Sequence, residues 1–214
     1  MRKFLRSRDG NVIVEAAVMM MIIFLFVFGG IDFLFAFQQW NAATKAVEVG
    51  ARIAAVSDPV AIGLNALSAA VVPGSANAGD QMPAFTVICN GGATPAPSCS
   101  CTGTCTGVSG YSSSAMNTIV YGRGSSACND ATSTYTTGMC DIFLRITPAN
   151  VVVTYTQTGL GYAGRPGGPA PTITVSLQNL PFQFYFLAGL FNFNLQIPTL
   201  TTTITGEDLS SSAS

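Results

Sequence analysis

Arg8-Asp9-Gly10-Asn11-Val12-Ile13-Val14-Glu15 leads directly into AAVMMMIIFLFVFGGI, residues Ala16 to Ile31, and this stretch decides the fold. No residue from Ala16 to Ile31 is charged, and extending the run back to Val12 adds only Glu15 as an interruption. Twenty residues rising ~1.5 Å each cover about 30 Å, the thickness of a bilayer's hydrocarbon core. The run is apolar on every side, whereas the core helix of a soluble domain keeps one polar face. A membrane-spanning helix is therefore expected. Apolar character resumes after Asp32 through Phe37, and Trp40 stands where interfacial aromatics gather.

Charge sets the direction of the span. Arg2, Lys3, Arg6 and Arg8 precede it, and only Lys45 and Arg52 follow closely. This asymmetry holds the N-terminus in the cytoplasm and sends the rest across. The expected location is the inner membrane, single-pass, with a periplasmic or extracellular C-terminal domain. A secretory signal peptide ends its short apolar core at small residues. Here Phe33-Leu34-Phe35 follows a longer run, so the helix is expected to stay.

Charged residues make up only 9% of the 214-residue chain, and the net charge of −1 gives no footing for nucleic acid. The chain has no His, which removes the commonest general base and metal ligand. Neither a Ser-His-Asp set nor a phosphate-binding glycine loop is legible, so no enzymatic activity, cofactor or metal is expected. Asp130 and Asp141 would form a catalytic carboxylate pair only if the fold joined them.

The span opens on a second pattern. Gly10 closes the basic segment, and Glu15 follows as a lone carboxylate inside the apolar run. This resembles the type IV prepilin processing site, where a membrane peptidase cuts after the glycine. The resemblance implies cleavage between Gly10 and Asn11, which leaves the helix on the mature chain with Glu15 as its fifth residue. A carboxylate in a spanning helix is costly and needs a partner. Cleavage creates one, an α-amino group on Asn11 that is cationic near neutral pH. The amine of one subunit would pair with Glu15 of a neighbour. The plainer alternative is a Glu15 that snorkels to the interface. Asp32 lies about 25 Å further along the helix, near the far interface. There it is read either as a water-facing cap or as a contact to a partner subunit.

The helix is expected to run on from Asn11 to about Val56. Its outer half places Ala43, Ala46 or Val47, Gly50, Ile53 and Ala54 at helical spacing, with Glu48 and Arg52 as an i, i+4 pair on another face. Together with Gly10 and Glu15, the pieces Gly30-Ile31-Asp32-Phe33, Asn41-Ala42-Ala43 and Val49-Gly50-Ala51-Arg52 resemble the TadE-like pseudopilins of the tight-adherence (Flp-type) pilus. Ala16 departs from the pattern, since family members usually carry an aromatic there. The likeness returns loosely at Leu180-Pro181-Phe182 and Leu200 to Glu207. It implies a minor pilin-like subunit that is a substrate of the prepilin peptidase. Such a subunit would act with other pilins and the pilus assembly machinery in assembly and surface attachment.

Residues 1–10 read as the leader, 11–57 as the helix and 58–214 as an α+β domain. Ser57-Asp58-Pro59 predicts a second helix over about Pro59 to Val72. Strands are predicted at Phe85–Cys89, Ile142–Ile146, Val151–Thr156, Ile173–Leu177 and Leu200–Thr205, the third and fourth joined by a Gly- and Pro-rich loop. They would form an antiparallel sheet against the outer half of the long helix. Cys89, Cys99, Cys101, Cys105, Cys128 and Cys140 all lie in this domain, which reads as disulfides in an oxidising compartment. Six cysteines allow fifteen full pairings, and a zinc site is the rival reading. Pro181 to Phe193 is too short to span a bilayer as a helix and reads as core or as a partner- or membrane-facing patch. The tail, Ser210 to Ser214, is expected to be disordered. A tethered adhesin or binding module that never polymerises fits this domain equally well.

Overall fold

A computed structural model describes residues 8–72, 74–92, 96–129, 137–191, 195–206 and 209. Asp130, Glu207 and the tail from Ser210 lie outside the described residues. The chain divides into two compact units: Met1–Gln39 with Pro181–Leu195, and Trp40–Leu180 with Gln196–Ser214.

Helix α1 runs unbroken over Arg8–Ala55 and supplies one end to each unit. It is the single described helix long and apolar enough to cross a membrane, and its most apolar window has no buried residue. A single-pass anchor fits these properties. Past Trp40, one side of the helix is buried: Ala43, Ala46, Val47, Gly50, Ala51 and Ala54. The small residues let a neighbour approach closely; a Cβ on Gly50 would overlap the buried Met139 thioether. The exposed Glu48 pairs with Lys45 at 3.0 Å, three residues back, where the sequence pattern pointed to Arg52. Such a surface pair adds little stability.

The helix expected from Pro59 starts only with a 3-10 turn at Leu64–Ala66 and the short α2 at Leu67–Ala70. The residues before it have other partners. Ser112 N–H donates to the Val60 carbonyl, Ser109 N–H to that of Ile62, and Val60 N–H to the Tyr155 hydroxyl. Gly63, at φ +87°, then turns the chain into the helical segment.

Strands β1 (Phe85–Asn90), β2 (Ser98–Gly103), β3 (Val151–Thr156), β4 (Thr172–Leu177) and β5 (Leu200–Thr205) form one antiparallel sheet in the order β2-β1-β3-β4-β5. Alternation drives it: Phe85, Val87, Cys89, Val151, Val153, Tyr155, Ile173, Val175 and Leu177 are all buried, while their neighbours are not. On the opposite face the Thr174 and Thr203 hydroxyls meet at 3.0 Å. β2 forms inside a Gly-, Ser- and Thr-rich stretch with no apolar pattern. Cys89 stands directly opposite Cys99 in the β1–β2 register, and the two are disulfide-bonded.

The strand expected at Ile142–Ile146 is not formed. Helix α3 (Ser113–Tyr121) is followed by the one-turn α4 (Met139–Ile142). The Asp141 carboxylate accepts from Gly138 N–H at 2.7 Å and Asn129 N–H at 2.6 Å, which starts a helical turn. A Cβ on Gly138 would overlap the backbone at the end of α3, so glycine permits the two helices to meet. Cys101–Cys105 and Cys128–Cys140 complete three local disulfides.

Tyr155 ties the centre of the sheet to the segment after α1. Its hydroxyl is fully buried and accepts from Val60 N–H at 3.0 Å. Burial pushes the phenol's pKa up, so the group stays neutral. Replacing Tyr155 with Phe orphans that N–H and should cost about 1–3 kcal/mol, read by chemical denaturation.

Candidate functional site

Gly10 and Asn11 occupy the first turns of α1, and Glu15 follows about one turn later. Glu15 is exposed, among the equally exposed Val12, Ile13, Val14, Val18 and Met19. Among the described residues it has no hydrogen-bond or ion-pair partner. The carboxylate therefore stands on an apolar surface that no described part of its own chain covers.

Asp32 is the opposite case. It is 0% exposed, and its carboxylate accepts three backbone N–H groups: Tyr185 at 3.0 Å, Phe186 at 2.9 Å and Leu187 at 2.7 Å. These groups open the short helix α5 (Leu187–Phe191), whose first N–H groups have no partner within the helix. Two turns beyond, Gln39 makes a reciprocal pair with Gln183: its amide donates to the Gln183 carbonyl at 2.8 Å and accepts from Gln183 N–H at 2.9 Å. Phe28 stacks on Phe186 with ring centroids 4.6 Å apart, and Phe35 meets Tyr185 edge-on at 5.5 Å. Phe28, Asp32, Phe35 and Gln39 are spaced four, three and four residues apart, a single stripe along α1.

The sequence placed Asp32 at the interface, facing water or a partner subunit; the structure buries it against the chain's own residues 185–187. Phe28, Phe35, Gln39 and Gln183 went unread as a set. Their signal was available: one polar pair and one acid at helical spacing, facing an uncharged aromatic segment far downstream.

Asp141 caps α4, and its suggested partner Asp130 lies outside the described residues. Among the described residues no cluster of His, Cys, Asp or Glu could hold a metal ion, and the six cysteines are paired.

Residues 10–52 match the TadE-like protein family. This N-terminal segment is TadE-like. The match begins at the glycine before the span and ends at Arg52, within the half of α1 that the second unit buries. No curated protein and no solved structure matches the chain. The matched segment covers 43 of the chain's 214 residues. Glu15 and Asp32 both fall inside it.

Proposed function

We propose that this protein is a minor pilin-like subunit that a prepilin peptidase cuts between Gly10 and Asn11. It would then act in assembly of the tight-adherence pilus and in surface attachment. One observation carries the reading: Glu15 is exposed on an apolar spanning helix, the fifth residue past the proposed cut, within the TadE-like segment. A carboxylate in lipid needs a cation, and the new α-amino group of a neighbouring subunit is one. The dipole of α1 also favours a negative charge near its amino end.

In this reading residues 1–10 are the leader and stay on the cytoplasmic side of the inner membrane, held by Arg2, Lys3, Arg6 and Arg8. Residues 11–57 are the anchor and its extension, and residues 58–214 form the domain outside the cytoplasm. The partners are the peptidase, other pilins and the assembly machinery. Three disulfides agree with an oxidising location. Terminal sequencing of the protein from membranes is the test. A mature chain beginning at Asn11 is expected, and one that keeps Met1 to Gly10 would overturn the reading.

A further inference from the structure

Residues 181–195 carry no charge and six aromatic side chains from Phe182 to Phe193. They group with the apolar part of α1, and the sheet belongs to the other unit. Phe182 N–H donates to the Leu195 carbonyl at 2.7 Å, so the two ends of the segment meet. Within its unit it is seated on α1 through Asp32, Gln39, Phe28 and Phe35. In that seat the N–H groups of Gln183, Tyr185, Phe186 and Leu187 are all satisfied by α1. The segment's most exposed large side chains are apolar or aromatic, with Tyr185 61% exposed, Phe186 41% and Leu195 53%, and the exposed Gln183 beside them is tied to Gln39 through its backbone. Phe33, Leu34 and Phe37 on the adjoining turns of α1 are exposed as well.

Position says what meets this surface. Asp32 lies about 30 Å along α1 from Val12, where the hydrocarbon core ends and the headgroup region begins. A short, uncharged, aromatic element whose N–H groups at Phe182, Gln183, Tyr185, Phe186 and Leu187 are satisfied suits that boundary. We propose that residues 182–187 form a second membrane-contacting element, lying among the phospholipids of the leaflet where the α1 span ends, with Asp32 as its anchor. The outward surface is then continuous with the lipid-facing surface of α1. The proposal rests on α1 spanning the membrane, and its test keeps the two claims apart.

Trp40 is the protein's one tryptophan. The full chain with Trp40→Phe and Phe186→Trp is reconstituted into phosphatidylethanolamine–phosphatidylglycerol vesicles. Tyr185→Trp serves in its place should Phe186→Trp fail to fold. The vesicles carry phospholipid brominated either near the headgroup end of the acyl chain or near its tip, and iodide probes water. Phe24→Trp, within the span, is the control. The expected result is a blue-shifted probe at 186 that loses most of its emission to the shallow bromolipid, less to the deep one, and little to iodide. Adding Asp32→Ala should reverse this order. A probe at 186 quenched by iodide alone, while the one at 24 is quenched by deep bromolipid, overturns the proposal and leaves the span intact. A probe at 186 shielded from both quenchers means that protein covers the patch, which also overturns it. Iodide quenching at 24 removes the span, and the proposal with it.

Discussion

Replacing Glu15 with Ala should cut surface pili about tenfold or more while the chain still inserts in the membrane. A charge-assisted hydrogen bond is worth about 1.5–3 kcal/mol, and each 1.4 kcal/mol is tenfold in an association constant. Loss of the Glu15–amine pair would remove that much from every docking event. Insertion depends instead on the apolar run, which the substitution makes more apolar. Glu15→Gln keeps an acceptor without the charge and should fall between the two. The readout is pilus yield by electron microscopy, set beside the amount of protein in the membrane fraction. A tethered binding module that never polymerises predicts unchanged pili, and unchanged pili with normal protein levels would sink the pairing argument.

What the sequence made legible follows from how local each signal was. The span, the length of α1 and strands β1, β3, β4 and β5 were readable because their patterns repeat every residue, every third or fourth, or every second. α3 was passed over inside a Ser- and Gly-rich run. Yet Ser112 caps it by accepting from Ala115 N–H at 3.2 Å, and the buried Ala115, Met116, Ile119 and Val120 have helical spacing. β2 had no such pattern; its register is held by the β1 ladder and the Cys89–Cys99 bond, neither visible from residues 98–103 alone. At Ile142–Ile146 a strand-like composition lost to Asp141, whose carboxylate starts a helical turn. The site divided in the same way. Glu15 stood out as a charge in an apolar run. The partners of Asp32 lie more than 150 residues away along the chain, and no periodicity spans that distance.

Replacing Asp32 with Ala should free residues 183–187 from α1, with amide exchange at Tyr185, Phe186 and Leu187 accelerating about 100-fold or more. Each buried N–H left without an acceptor costs about 1–3 kcal/mol, and the substitution strands three at once. Ring contacts to Phe28 and Phe35 hold the segment less firmly, since an aromatic pair is worth about 0.5–1.5 kcal/mol beyond its buried area. Global stability should change less than local protection, because removing a buried charge also removes the cost of burying it. Asp32→Asn sharpens the test: it keeps one acceptor oxygen but turns an amide donor toward N–H groups that need acceptors, so most of the protection should still be lost. Hydrogen exchange on the full chain in detergent micelles reads the effect. Peptides from β3 and β4, in the other unit, serve as the internal reference and should not move. If the three amides keep their protection in Asp32→Ala, the aromatic contacts alone hold the segment, and Asp32 is not its anchor.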